Sequence, residues 1–207
     1  MNAIPQRQPI GPVMQMCSGR AWSLAAPDPA DVHWPDIAEQ LAKVPRFVGA
    51  TPGVAYSVAQ HCCLVADTLP LTLRPYGLLH DAPEAFSGDI PTPYKRLVAQ
   101  IAAGQGAGDV LAFAEEMQAR ALHAAAGLEY PLPVADHGAI KRADLVALAT
   151  EHRDLQVENP LAWRESLPDP LPAVVRPWPW PRAADEWLAR LYRWCPATYA
   201  RTHTRSL

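Results

Sequence analysis

The sequence has no surplus of positive charge, because its 18 lysines and arginines are outnumbered by 21 aspartates and glutamates, for a net charge of −3. Such a chain has no general positive field to hold a nucleic-acid backbone or an anionic membrane surface. It also lacks any run of about 18 apolar residues and any apolar N-terminal stretch of the secretory kind. We therefore expect a cytoplasmic protein whose partners include no nucleic-acid polymer and no membrane, and which holds any anionic ligand by local charges.

The four cysteines form neither a disulfide framework nor a zinc-ribbon spacing. Cys62 and Cys63 are neighbours, whereas Cys17 and Cys195 lie far apart, so reduced thiols are expected. Proline is abundant instead, at 23 of 207 residues. Because proline interrupts helices and is excluded from central strands, the chain should form short, well-separated helices and no long strands.

Apolar residues recur at helical spacing through most of the chain, whose length fits one domain. Two of these stripes predict buried helix faces: Trp34, Ile37, Ala38, Leu41 and Ala42, and later Val110, Phe113, Ala114, Met117, Ala121 and Leu122. Helices with one apolar face must bury that face against other helices. The sequence therefore predicts an all-α orthogonal helical bundle of about six or seven helices.

The domain boundaries follow from where the periodicity stops. Residues 1–12 show no pattern and are expected to be a flexible tail, whereas residues 13–207 should form a single domain with a small N-terminal hairpin around Ser18-Gly19. Residues 156–182 are rich in proline and tryptophan, so they should cross the surface as an extended strap before a C-terminal helix. The strap could cover the bundle, line a pocket rim or bind a partner.

Two helix boundaries are set by single residues. A helix from Pro75 to Phe86 should be kinked at Pro83, where one backbone hydrogen bond is lost. Asp136 is placed to cap the helix that carries Asp144.

The chemistry-bearing residues lie on three of the predicted helices. His80 and Asp81 are adjacent residues that can both bind a metal, and Glu84 follows His80 by one helical turn. His61 and Asp144 each interrupt an apolar stripe on another helix. Each of these residues alone could be an ordinary surface or buried polar residue. Together the imidazoles and carboxylates would suit a divalent metal, which would also explain an acidic helix face turned inward.

The order His, His-Asp, Asp along the chain resembles the HD-domain metal-dependent phosphohydrolases, and most closely their small 5′-deoxynucleotidase branch. The resemblance runs from about Ser18 to Leu155. It rests on five segments: Arg46-Phe47, Tyr56–His61, His80–Pro93, Lys141–Leu145 and Ala149–Glu151. It implies an HD-domain version of the helical bundle and a nucleotide as the small-molecule substrate.

The resemblance also implies a role for each matching residue. The metal ligands would be His61, His80, Asp81 and Asp144, binding one divalent ion such as Co²⁺, Mn²⁺, Zn²⁺ or Mg²⁺. Glu84 would orient or deprotonate the attacking water, and Asp89 would meet the sugar and the leaving oxygen. Arg46 matches a phosphate-binding arginine, and Phe47 stands where relatives have a tryptophan beside the sugar.

Other assignments stay open at the level of sequence. Lys95 could add positive charge at the phosphate or lie at a solvated helix start. Glu151 and Arg153 could support the site from behind the ligands or form a surface ion pair. The leading hypothesis is a nucleotide phosphohydrolase acting on deoxynucleoside 5′-monophosphates. The alternatives are a triphosphohydrolase acting on a deoxynucleoside triphosphate such as dATP, and a catalytically silent module that binds a nucleotide or a protein partner. A homo-oligomer is compatible with each.

Overall fold

The computed structural model describes residues 11–159 and 166–204. In these residues a two-stranded antiparallel sheet precedes nine α-helices. The strands are β1 (Val13–Gln15) and β2 (Ala21–Ser23). The helices are α1 (Trp34–Lys43), α2 (Val58–Thr68), α3 (Arg74–Leu79), α4 (Glu84–Ser87), α5 (Thr92–Gly104), α6 (Val110–Ala126), α7 (Val134–Leu155), α8 (Trp180–Trp194) and α9 (Pro196–Thr204). The predicted all-α bundle is confirmed, as is the hairpin, in which Met14 pairs with Trp22. None of the described helices is long and apolar enough to cross a bilayer.

The main core lies where α1, α2 and α8 pack together. The predicted apolar face of α1 is buried along its whole length, and the rings of Trp34 and Trp187 lie 6.2 Å apart between α1 and α8. Ser57 begins α2 as its side-chain oxygen accepts a hydrogen bond from the Gln60 N–H. The first turn of α2 therefore has a defined start, which fixes the position of His61 in the interior of the bundle.

The close approach of α3 to α2 favours a glycine at position 77. A Cβ atom at Gly77 would collide with the end of the Leu69 side chain and would lie 3.2 Å from the Cα atom of Ala66. A larger residue would need the Leu69 side chain to move and the two helices to shift slightly apart. Because α3 leads directly into His80, Gly77 helps to bring His80 to the same level as His61 on α2.

The helix predicted from Pro75 to Phe86 is in fact two helices, α3 and α4, joined by a turn at residues 80–83. Pro83 has no N–H to continue the helical ladder, and the Ala82 N–H bonds instead to Leu79, three residues back. The prediction of a single kinked helix is therefore wrong. The chain changes direction at His80 and Asp81, so that these two side chains and Glu84 converge.

Three other boundaries differ from the sequence-based predictions. Helix α7 begins after the extended Pro133, which places Asp136 in the first turn and not at the cap. Helix α8 begins at Trp180, inside the predicted strap, because Pro181 occupies a first-turn position that needs no N–H donor. Helix α9 had no counterpart in the prediction. The division of one helix and the presence of α9 raise the helix count above six or seven.

The buried face predicted for α6 is only partly correct. Its second half, including Ala121 and Leu122, lies in the core, but Val110 and Phe113 in its first half are exposed. The predicted flexible tail lies outside the described residues except for residues 11 and 12. Residues 160–165 of the predicted strap also lie outside them.

Candidate metal centre

Three side chains from α2 and the α3–α4 turn form a compact group that could hold a metal ion. The ligand atoms of His61, His80 and Asp81 all lie within 4.8 Å of one another. The two Nε2 atoms are 3.3 Å apart, and Asp81 Oδ2 lies 3.4 Å from His61 Nε2 and 3.2 Å from His80 Nε2. Ligand atoms bonded at about 2.1 Å to one ion would be separated by roughly 3.0–3.4 Å at bond angles of about 90–110°. The spacing of these three atoms therefore fits a first-row divalent metal.

Asp144, on α7, lies beside this group of three and could act as a fourth donor. Its Oδ1 atom lies 3.3 Å from His61 Nε2, and its Oδ2 atom accepts a hydrogen bond of 2.7 Å from Lys141 Nζ. Burial disfavours its charge, but the neighbouring His61 outweighs this effect and lowers the pKa of Asp144. In the same way His80 keeps the pKa of Asp81 well below its ordinary value despite burial. Both carboxylates are therefore ionised and suited to a cation.

Both imidazoles are oriented by a hydrogen bond at the nitrogen that faces away from the centre. His80 Nδ1 donates to the Gly77 carbonyl at 2.7 Å, and His61 Nδ1 lies 2.6 Å from Glu151 Oε1. The proton assignment to Nδ1 follows from these acceptors. Histidines that bind metals generally use the second ring nitrogen in this way, since it fixes the ring and raises its basicity. Each ring thus presents Nε2 to the centre.

Glu151 is the site residue that the sequence left undecided. It is 0% exposed, accepts the Tyr56 hydroxyl at 2.9 Å and holds His61. Burial opposes the charge of His61, but Glu151 and other carboxylates outweigh it and raise its pKa well above the ordinary value. Glu151 follows Asp144 by seven residues, which is two helical turns, so both face the same side of α7. The seven-residue spacing from Asp144 is the sequence feature that could have indicated that Glu151 lies at the site. Without it, Glu151 could equally have formed an ion pair on the surface.

Glu84 is a buried carboxyl group next to the candidate ligands. Its residue is 5% exposed, and its Oε2 atom has no hydrogen-bond partner among the described residues. Burial, and then the nearby charges of Asp81 and Asp89, raise the pKa of Glu84 to about 10. A cation in the centre would reduce this repulsion. Glu84 is therefore a group whose protonation responds to what the centre holds.

Arg46 provides a buried positive charge among four carboxylates. Its Nη1 atom lies 3.5 Å from Asp81 and 3.7 Å from Asp89, and its Nη2 atom lies 3.6 Å from Glu151. Burial opposes the charge on Arg46, but these carboxylates outweigh it and raise its pKa. The three separations are too long for strong hydrogen bonds, and Nε has no partner among the described residues. The guanidinium therefore retains donors for an additional anion.

Phe47 is held in an unusual backbone conformation beside Arg46. Phe47 and Val48 both have left-handed φ angles, of 57° and 54°, which non-glycine residues rarely adopt. The Phe47 N–H donates to Asp89 Oδ2 at 3.0 Å, and the Arg46 guanidinium carbon lies 5.3 Å from the centre of the Phe47 ring. Asp89 thus stabilises the strained turn that positions both the arginine and the aromatic ring.

Two cavities adjoin His80 and Asp81. The first, of about 200 Å³, is also lined by Glu84 and by Lys95, whose Nζ atom pairs with Glu115 at 2.8 Å. The second, of about 180 Å³, lies toward Asp144. It is lined in part by a row of three rings: Tyr76, His123 and Tyr130. Burial lowers the pKa of His123, so its ring is neutral at pH 7.

The chain was compared with known proteins. The uncharacterized protein RCAP_rcc00048 of Rhodobacter capsulatus is 35% identical over 170 residues, spanning 78% of this chain and 82% of the relative. The chain belongs to the same family as this protein. A second member of similar sequence is the uncharacterized protein YfdR of Escherichia coli, 35% identical over 133 residues, spanning 64% of this chain and 66% of YfdR. No family model matches the chain.

In this family member, the structure brings together most of the residues singled out from the sequence. The other three candidate ligands, His80, Asp81 and Asp144, each place one atom 3.3–3.4 Å from His61 Nε2. Glu84, Arg46 and Asp89 lie next to this group. Lys95 is half-buried on a cavity wall and is neutralised by Glu115. Arg153 does not reach the centre, because it pairs with Asp154 and donates to strap carbonyls.

Proposed function

We propose that the protein is a metal-dependent phosphohydrolase of the HD-domain superfamily that converts deoxynucleoside 5′-monophosphates to deoxynucleosides and phosphate. The observation that carries this proposal is the buried Arg46 guanidinium, with donors to spare, 3.5 Å from the candidate ligand Asp81. A set of metal ligands beside an arginine that can still bind an anion suits a phosphate ester, since guanidinium groups bind phosphate oxygens in pairs.

His61, His80, Asp81 and Asp144 would hold one divalent ion, and Co²⁺, Mn²⁺, Zn²⁺ and Mg²⁺ are the candidates. The mixture of imidazole and carboxylate donors is compatible with metals of intermediate softness. A bound ion supplies Lewis acidity, which polarises a phosphoryl oxygen and lowers the pKa of water. The Glu151–His61 and Gly77–His80 hydrogen bonds keep both rings oriented for this purpose.

Glu84 is the proposed general base. With a pKa of about 10, Glu84 is protonated at neutral pH in the metal-free protein. A cation in the centre would offset the charges of Asp81 and Asp89 and lower this pKa, which would leave a carboxylate whose unpartnered Oε2 atom can accept a proton from water. As the water oxygen bonds to phosphorus, the bond from phosphorus to the 5′ oxygen breaks. The proton that Glu84 takes from water then returns to the 5′ oxygen, which leaves as the alcohol.

The distribution of positive charge favours a monophosphate over a triphosphate. Among the described residues of the centre and its two cavities, the lysine and arginine side chains are Arg46, Lys95 and Lys141. Lys95 pairs closely with Glu115 at 2.8 Å and Lys141 with Asp144 at 2.7 Å. Arg46 has no carboxylate contact shorter than 3.5 Å, and its Nε atom has no partner among the described residues, so it is the side chain best placed to bind one phosphate group.

A product assay with chelator-stripped protein tests the proposal. Deoxynucleoside mono- and triphosphates are incubated with Mn²⁺, Co²⁺, Zn²⁺ or Mg²⁺, and orthophosphate, pyrophosphate and triphosphate are measured separately. We expect orthophosphate from the monophosphates, restored by at least one metal. The matched control is Glu84→Gln purified in parallel, which should be inactive and excludes a contaminating phosphatase. Release of triphosphate only, or no product with any metal, would contradict the proposal.

A further inference from the structure

The described part of the proline-rich strap, residues 166–179, is tied to α2 through one buried side chain. The Gln60 amide NH₂ donates to the Arg176 carbonyl at 2.8 Å, and the Gln60 side-chain carbonyl accepts from the Trp178 N–H at 2.7 Å. Gln60 is 6% exposed, so these bonds are largely shielded from water. The side-chain amide of Gln60 thus donates one hydrogen bond to the strap backbone and accepts another from it. These two bonds fix the strap relative to the first turn of α2.

The same strap is tied to the last turns of α7. Thr150 Oγ1 accepts from the Leu171 N–H at 2.9 Å, and Asp154 Oδ2 accepts from the Val175 N–H at 2.7 Å. Arg153 adds bonds from Nη1 and Nη2 to the carbonyls of residues 171 and 173. Prolines have no N–H group, so only the other residues of the strap can donate backbone hydrogen bonds. Two of these residues, Leu171 and Val175, donate to side chains of α7.

The attachment points adjoin the metal centre on both helices. Gln60 immediately precedes His61, and Thr150 immediately precedes Glu151. His61 Nδ1 and Glu151 Oε1 are joined across α2 and α7 at 2.6 Å. The strap therefore connects the two helices at the level of this hydrogen bond, although it contributes no ligand itself.

We propose that the strap is a positioning element that holds α2 and α7 at the spacing at which Glu151 orients His61, and thereby sets the metal affinity of the centre. Gln60 and Thr150 are its positioning residues. The metal-affinity part of this inference rests on the proposed function, whereas the restraint on His61 applies to the metal-free protein as well. Loss of an outer partner of a metal-binding histidine typically weakens metal binding by about 10- to 100-fold.

The test compares Thr150→Val with a matched control, Thr198→Val. Both threonines are 0% exposed and donate from Oγ1 to a carbonyl of their own helical region, but Thr198 lies in α9 and forms no hydrogen bond to the described part of the strap. Thr150→Ser retains the acceptor for Leu171, and Gln60→Met removes the other attachment. The Kd for Co²⁺ is measured by competition with a chelating dye, at a temperature well below the melting point of every variant.

We expect the Kd for Co²⁺ to rise by about 10-fold or more in Thr150→Val and Gln60→Met, and to be unchanged in Thr150→Ser and Thr198→Val. In the metal-free protein, the His61 Nδ1 proton should exchange with solvent faster in the two strap variants only. If Thr150→Val does not fold, Gln60→Met gives the same comparison. Equal Kd values and equal exchange rates in strap and control variants would overturn the inference, and a changed Kd without faster exchange would overturn the route through His61. If the wild type binds no Co²⁺, the proposed metal centre fails, and the exchange rate alone decides whether the strap restrains His61.

Discussion

Replacing Glu84 with glutamine should stabilise the metal-free protein and at the same time abolish its activity. Glu84 is 5% exposed, and burial together with Asp81 and Asp89 raises its pKa from an ordinary 4.5 to about 10. When folding raises the pKa of a carboxyl group, the protein is most stable at pH values below the pKa that the group has in the unfolded chain. Stability is then lost as pH rises from 4.5 toward 10, because the folded protein must keep a proton that the unfolded chain releases.

The size of the effect follows from the width of that window. One pKa unit corresponds to about 1.4 kcal/mol, so the rise from pH 4.5 to 7 could cost the wild type at most about 3 kcal/mol. Relaxation around a buried group reduces this, and we expect a gain of about 1–3 kcal/mol for Glu84→Gln at neutral pH. For a chain of this size each kcal/mol corresponds to roughly 2–4 °C in Tm.

The assay is urea or thermal unfolding of chelator-treated protein between pH 5 and 8. Wild type and Glu84→Gln should be nearly equal at pH 5 and diverge in favour of the variant as pH rises. Glu39→Gln is the matched control, because Glu39 is partly exposed and pairs with Lys43 on the surface of α1. The stability of Glu39→Gln relative to the wild type should not change between pH 5 and 8. The reasoning would be refuted if the wild type and Glu84→Gln had parallel pH profiles of stability, or if Glu84→Gln were less stable than the wild type at every pH. In the presence of metal, turnover of Glu84→Gln should fall by about 10²-fold or more with metal retained.

Three further predictions concern the same region. Asp81→Ala should abolish metal binding, measured by elemental analysis, while the helical circular dichroism is kept, and full metal occupancy would remove Asp81 from the ligand set. Arg46→Ala should raise KM and lower kcat, and it should destabilise the fold by about 3–5 kcal/mol because the buried carboxylates lose their counter-charge. Arg46→Lys should restore the stability more than the kinetics, since an ammonium cannot form paired hydrogen bonds to phosphate, and unchanged kcat/KM in Arg46→Ala would exclude the phosphate-binding role. Val48→Gly should raise Tm, because Val48 is exposed and its left-handed φ of 54° is strained in a β-branched residue; a lower Tm would show that the turn is not strained.

Features that depend on residues close to one another in the chain could be predicted without the structure. The apolar face of α1 repeats at helical spacing and is buried as predicted, and Ser57 caps α2 because the cap and its partner Gln60 are three residues apart. His80 and Asp81 were candidate ligands from the sequence as members of a set with His61 and Asp144, and as neighbours in the chain they also lie close in space. Helical periodicity and helix capping depend on residues only three or four positions apart, so both can be predicted from one sequence.

Contacts between residues far apart in the chain could be known only from the folded protein. Glu151 and His61 are separated by 90 positions and Gln60 and Trp178 by 118, so no local pattern could pair them. Lys95, read as a free or phosphate-binding cation, is neutralised by Glu115 because α5 packs against α6. The turn between α3 and α4 has a local cause in Pro83, but only the packed bundle shows that it brings His80 and Asp81 next to His61. These outcomes depend on burial and on the charges that burial brings together, and both exist only once the helices have assembled.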